Sequence, residues 1–103
     1  MKINKYQKIA QEATNEILID DIEYGIKSNN NAKRAIYSSI SQGVVRVDEG
    51  YIKEKLNAVK DVDKWLQYYI REAKLRCDAG NLSMSLMQRF GDVIESSKNL
   101  FKN

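Results

Sequence analysis

Histidine and proline are both missing from the 103-residue chain, and there is one cysteine. The absence of histidine removes the commonest general base, the commonest metal ligand and the usual physiological pH switch together. Serine-histidine and cysteine-histidine nucleophilic mechanisms are therefore excluded. Without proline, and with five glycines spread out along the chain, no segment reads as a linker or a proline-rich tract. The lone Cys77 cannot form a disulfide within the chain, and its phase with neighbouring apolar residues makes it a small core residue rather than a nucleophile. A single thiol and no signal-peptide pattern fit a reducing, cytoplasmic setting. The densest apolar patch, Ile17, Leu18 and Ile19, is bounded by Glu16 and Asp20, far short of a membrane span.

The chain has the size of one domain with little surplus core, so a partner or a second copy covering apolar surface would matter to it. Its formal charge of +3 is too small to identify a nucleic-acid binder, but the charge is banded. Residues 1–11 carry three lysines and no acid, and residues 12–23 carry Glu12, Glu16, Asp20, Asp21 and Glu23 and no base. Residues 24–47 are again basic through Lys27, Lys33, Arg34 and Arg46. Mixed charge of this kind suits a protein partner at least as well as a phosphate backbone. Heavy use of lysine, asparagine and isoleucine fits an AT-rich genome, such as that of a low-GC bacterium or its phages.

The longest ordered signal is a single helical phase over residues 49–77. At about 100° per residue, Ile52, Leu56, Val59, Leu66, Ile70, Ala73 and Cys77 fall on one stripe. Tyr51, Ala58, Val62, Trp65 and Tyr69 form a second stripe beside it. The opposite face carries a basic ridge of Lys53, Lys60, Lys64 and Arg71, with Glu54, Asp61 and Glu72 alongside. Such a helix is roughly 42 Å long, more than a compact monomer of this size needs, and its overhang predicts a homodimer.

Three further helices are predicted. One runs over residues 4–27, with Tyr6, Ile9, Ala10, Ala13, Ile17 and Tyr24 on one face and Leu18, Ile22 and Ile26 on a second strip. Ser28, Asn29, Asn30 and Asn31 should end it, because their side chains offer hydrogen bonds to freed backbone groups. A short helix over 32–42 follows, with Gly43 at its end, and residues 44–47 form an extended connector. Asp48 reads as the N-cap of the long helix, with Val47 and Ile52 spaced as a hydrophobic staple. Gly80 is the expected C-terminal cap and Asn81 the next N-cap. The last helix, over 82–101, aligns Leu82, Leu86, Phe90, Val93 and Leu100 on one face, with Met87, Ile94 and Phe101 beside it. Gly91 inside it marks a close helix crossing. The predicted fold is a single all-α, four-helix domain with one long central helix.

Glu12, Glu16, Asp20 and Glu23 follow the spacing i, i+4, i+8, i+11 and form an acidic ridge on the first predicted helix. Di-metal helical bundles complete such carboxylates with a Glu-x-x-His pair, which this chain cannot supply. The ridge is thus a solvated face or a docking surface for a basic partner. Lysines across from it, such as Lys53 or Lys60, would relieve its repulsion. Asp63 falls in the middle of the long helix's apolar stripe, where an unpaired carboxylate is costly. A hydrogen bond from a neighbouring helix, an exposed gap in the stripe, or a register-setting role at a helix pair would each account for it. Trp65, Tyr68, Tyr69 and Arg71 have a composition suited to a protein interface and also to stacking bases, but Trp65 and Tyr69 read first as core packing, and Tyr68, on the polar side, is the better contact residue.

Val44-Val45-Arg46-Val47, followed by Asp48 to Leu56 and then Tyr68-Tyr69-Ile70-Arg71-Glu72-Ala73, resembles the strand, helix, helix order of ribbon-helix-helix DNA-binding proteins over residues 44–77. That resemblance implies that Val45, Arg46 and Val47 enter the major groove as half of a two-chain ribbon. Only Arg46 is polar among them, and residues 58–64 lack the glycine that the family's inter-helix turn normally carries. The residues together predict a non-enzymatic helical protein with no cofactor and no metal. Its action would be through protein contacts, as a phage- or mobile-element-encoded inhibitor or regulator, or a bacteriocin-immunity-type protein. The alternative is a DNA- or RNA-binding regulator using Lys53, Lys60, Lys64, Arg71 and Lys74.

Overall fold

The computed structural model describes residues 4–41 and 49–98. These residues form four α-helices and no strand: α1 (Lys5–Glu12), α2 (Asn15–Ser41), α3 (Glu49–Asp78) and α4 (Met84–Lys98). The all-α, four-helix expectation holds, and α3 is one unbroken helix through residues 58–64. The turn that the ribbon-helix-helix resemblance implies there is not present. Gly43, the connector at 44–47, the Asp48 cap, the Val47 staple, Leu100 and Phe101 lie outside the described residues.

The first helical break falls earlier than predicted. Ala13 is extended (φ −69°, ψ 143°), and its N–H reaches back to the carbonyls of Ile9 and Ala10. Thr14 then caps α2, its Oγ1 accepting from the Ile17 N–H at 3.3 Å and its carbonyl from Leu18 at 2.9 Å. Glu16 adds negative charge in the first turn, where the helix dipole favours it. By contrast, Ser28 to Asn31 do not end a helix, and α2 runs straight through them. Asn29 and Asn30 are buried, and the Asn29 Nδ2 donates to Asp63 Oδ1 of α3 at 2.8 Å. Local preference for a turn is worth a few tenths of a kcal/mol per residue, roughly, and packing outweighs it.

Helices α1 and α2 both pack on α3, and α4 packs on α2. The contacts Asn15–Arg76, Gly25–Trp65 and Asn29–Asp63 set α2 antiparallel to α3. Leu18, Ile19 and Ile22 are wholly inaccessible, and Ala10, Ile26, Leu66, Tyr69, Ala73, Leu82 and Phe90 complete the core. Ile9, Ile17 and Tyr24, expected on an inward face, are instead exposed. Because the break at Ala13 re-aims α1, the stripe shared by residues 6–24 belongs to two helices: Ala10 and Ala13 still pack on the core, but on α2 the inward side is that of Leu18, Ile19, Ile22 and Ile26. Cys77 is half-buried against the core as a free thiol.

Gly80 ends α3 with φ +73°, the left-handed conformation for which glycine carries no Cβ penalty. The Asn81 N–H closes the cap onto the Arg76 carbonyl at 2.8 Å. Asn81 is not the next N-cap. That position is Ser83, whose Oγ accepts from the Leu86 N–H at 3.2 Å. Nor does Gly91 mark a close crossing, since a Cβ there would meet nothing within 4 Å. The close approach is at Gly25, where a Cβ would stand 2.7 Å from Trp65 Cη2 and 3.1 Å from Leu66 Cδ1.

The molecule is elongated, 51 × 35 × 18 Å with a radius of gyration of 16.0 Å. A compact chain of this length would have a radius of about 13 Å. The second half of α2 and the first turns of α3 extend past the shared core, leaving Tyr37, Ile40, Tyr51 and Leu56 substantially exposed.

Asp63 is exposed rather than buried in the stripe, but it is the acceptor for buried Asn29, whose Oδ1 has no partner among the described residues. Asp63→Leu therefore strands both ends of the Asn29 amide and is expected to cost about 1–3 kcal/mol. Adding Asn29→Leu should recover stability to within roughly 1 kcal/mol of the parent, because both polar partners are then gone. Urea unfolding of the two single variants and the double one measures this; a destabilisation that the second change leaves untouched would contradict it.

Candidate binding surfaces

Lys53, Lys60, Lys64 and Arg71 all stand exposed along α3, as does Lys74. Lys64 reaches Asp61 on its own helix at 3.5 Å, with both side chains mostly in water, a pairing that stabilises little. At the other end of the ridge, the Arg71 guanidinium lies 5.5 Å from the centre of the Tyr68 ring. Tyr68 in turn stacks on Tyr6 of α1, at 6.5 Å and 23°. This part of the basic ridge thus joins an aromatic cluster.

The acidic ridge is divided. Glu12 sits on α1 and Glu16, Asp20 and Glu23 on α2, because the break at Ala13 and Thr14 separates them. Relief of their repulsion comes from α4, not from the lysines of α3. Arg89 binds Asp20 at 2.6 Å and takes Glu23 in a two-pronged contact through Nε and Nη2. These hydrogen bonds, to Glu23 first and Asp20 second, raise the affinity of the guanidinium for its proton. The sequence offered no pattern that singled out Arg89.

Arg76 is a second arginine not distinguished by sequence pattern. Its side chain is only 12% exposed and pairs with Glu72 at 3.1 Å. Nη1 donates to Asn15 Oδ1 at 2.9 Å, and Nη2 donates to the carbonyls of Ala10 and Gln11 at 3.0 and 3.1 Å. One guanidinium thus closes the C-terminal end of α1 and grips the first residue of α2.

That clamp creates a groove. With α1 and α2 both seated on α3, a depression of about 330 Å³ opens between them, walled by Tyr6 and Ile9 from α1 and Asp21 and Tyr24 from α2. Trp65 and Tyr69 of α3 complete its lining. Their rings meet edge to face with centres 4.9 Å apart, and Trp65 lies against the α2 backbone because residue 25 is glycine. Tyr24 is 70% exposed. Asp21 has no hydrogen-bond or ion-pair partner among the described residues, in contrast to Asp20, Glu23 and Asp63.

Burial first, and the charge of Asp21 second, raise the Tyr69 hydroxyl above its ordinary pKa of 10.0. The neutral phenol is the form that the fold prefers. Its stabilising contribution is complete below the unfolded value and is lost as pH rises through the higher folded one. Absorbance titration should show one tyrosine ionising after the others, and Tyr69→Phe should flatten the decline of stability above about pH 10. An unchanged alkaline limb in the variant would contradict this account.

Among the described residues no group of three or more histidine, cysteine, aspartate or glutamate side chains could hold a metal ion, and no helix is long and apolar enough to cross a membrane. No protein-family model, curated protein or solved structure matches the chain.

Proposed function

We propose that this chain is a non-enzymatic, cytoplasmic binding protein that acts by docking on another protein, as a phage- or mobile-element-encoded inhibitor or regulator would. The observation that carries the reading is the groove between α1 and α2, where Ile9 and Tyr24 stay exposed beside Trp65 and Tyr69. Aromatic side chains held on rigid helices are what the centre of a protein interface uses. Tyr68 and Arg71, next to the groove through Tyr6, extend the contact surface along α3. Lys53, Lys60 and Lys64 supply a charged rim that steers association, and Glu12 and Glu16 supply one of opposite sign.

The extension of α2 and α3 supports self-association through Ile40 and Leu56, while Asp63, through its bond from Asn29, acts on the register of α2 against α3. Light scattering at micromolar concentration should give a dimer, and Ile40→Glu with Leu56→Glu should give a monomer of unchanged helicity.

A nucleic-acid regulator is the competing reading, favoured by the five exposed cations of α3, Lys53, Lys60, Lys64, Arg71 and Lys74. Asp61 and Glu72 pair with cations on the same helix and blunt its field. DNA and RNA duplexes should therefore bind weakly and without sequence preference, and lose most of that binding between about 50 and 200 mM salt. Tight, sequence-selective binding at physiological salt that Lys60→Glu with Lys64→Glu abolishes would overturn the protein-binding reading.

A further inference from the structure

The groove between α1 and α2 is more specific than an apolar depression. Four of its six lining side chains are aromatic, one is Ile9, and the remaining one is the carboxylate of Asp21. Asp21 is half-buried among these rings, and nothing among the described residues neutralises it. The other acids of this part of α2 are matched: Asp20 and Glu23 hold Arg89. A carboxylate in a partly desolvated, ring-walled space attracts cations more strongly than one in open water, since the local dielectric is lower. Aromatic faces add to that attraction through their quadrupoles. Tyr6 and Tyr68 already lie near cations at the groove's edge, with Lys5 Nζ 4.9 Å from the Tyr6 ring and the Arg71 guanidinium 5.5 Å from the Tyr68 ring.

Resting on the protein-binding reading above, we infer that this groove receives an arginine side chain of the partner, its guanidinium against Tyr24, Trp65 and Tyr69 and paired with Asp21. Arginine is the cation whose chemistry fits all of the walls. Its planar guanidinium stacks on rings and is weakly hydrated, so it enters an apolar cleft at lower cost than an ammonium. Its parallel N–H groups match a carboxylate. Its three-methylene stem packs on an aliphatic wall, here Ile9. The groove's volume of about 330 Å³ is ample for one such side chain.

The test needs no cellular partner. The acetylated, amidated peptide Gly-Ser-Arg-Ser-Gly is titrated into the intact chain, followed by side-chain NMR signals of the groove and by emission of Trp65, the only tryptophan. The same peptide with citrulline, the neutral isostere of arginine, is the control, and choline represents a free organic cation. Signals of Tyr24, Trp65 and Tyr69 should move with the arginine peptide, and the citrulline peptide should bind about tenfold more weakly. Asp21→Asn should abolish that preference, and Tyr24→Ala should weaken arginine binding several-fold. Both positions are peripheral to the core, and circular dichroism should report unchanged folding. Bound arginine should also bring the Tyr69 hydroxyl down towards its ordinary ionisation by offsetting Asp21.

Equal affinity for arginine and citrulline, or indifference to Asp21→Asn, would overturn the inference. Tighter binding of choline than of the peptide would assign the groove to a small organic cation instead. Shifts of the groove signals with protein concentration alone would assign it to a second copy of the chain. Each of these results leaves the protein-binding reading to its own scattering and nucleic-acid measurements.

Discussion

Arg76→Ala should lower stability by about 3 kcal/mol, because it leaves the Glu72 carboxylate uncompensated, strips the Gln11 carbonyl of its donor and leaves the Ala10 carbonyl with the Ala13 N–H alone. For a domain of this size that corresponds to a fall in melting temperature of roughly 12–24 °C. The structural consequence is more specific than the loss of stability. Helix α1 has eight residues, too few to persist in water without tertiary support. Releasing its C-terminal end from Arg76 should undock it before the rest of the bundle unfolds, separating the Tyr6 and Tyr68 rings. Arg76→Lys should recover only part of the loss, since a single ammonium cannot serve Glu72, Asn15 and two carbonyls from one position. Thermal melts with a near-ultraviolet aromatic signal check both statements. A variant with parental stability would show the clamp to be dispensable.

Gly25→Leu should be nearly as damaging, at about 2–3 kcal/mol. Even a Cβ at this position comes within 2.7 Å of Trp65 Cη2, so a longer side chain must expel the indole or part α2 from α3. Gly25→Ala is a milder case with opposing contributions. Alanine gains about 1 kcal/mol of helix propensity over glycine, and displacement of the Trp65 ring offsets it, so net stability should change by less than roughly 1 kcal/mol. Emission of the single tryptophan should shift in both variants. Unaltered emission in Gly25→Leu would mean that Trp65 does not lie against this stretch of α2.

The uneven legibility of the chain has a physical pattern. Helix α3 was readable because its apolar residues keep one phase from Ile52 to Cys77, and from Val62 onward that stripe packs on the shared core. Gly80 was readable because a left-handed cap selects glycine through its missing Cβ. The inward face of α4 was readable for the same reason as α3, with Leu86, Phe90 and Val93 packed as their spacing implies.

The N-terminal third misled because apolar positions on both sides of Ala13 happen to continue one helical phase across a real break. Thr14, followed by Glu16, was the available signal for a helix start there. Ser28 to Asn31 carry a strong local signal for a turn, but the bond from Asn29 to Asp63 forms between residues 34 apart in sequence. No local pattern contains it. The same holds for the site. Trp65 and Tyr69 were legible as core packing and Tyr68 and Arg71 as a contact composition, yet Asp21 and Tyr24 become neighbours of the two core-side rings only when α1 and α2 open into a groove. Asp63 was conspicuous for its place in an apolar stripe, and the exposed gap and the bond from a neighbouring helix that its position allowed are both found there, although the donor is the Asn29 side chain.

The central claim is that α1 is a separate helix, folded onto α3 and parted from a continuous α2, since without that arrangement there is no groove. Amide hydrogen exchange on the intact chain tests it residue by residue. The structure predicts strong protection at residues 29–31, in the unbroken middle of α2 where Asn29 and Asn30 are buried, and fast exchange at Thr14 and Asn15, whose amides begin a new helix. It also predicts protection across residues 9–13 that Arg76→Ala abolishes. Fast exchange at 29–31 together with unbroken protection from residue 9 through residue 24 would contradict the account, since it would restore one helix over 4–27 and remove the groove.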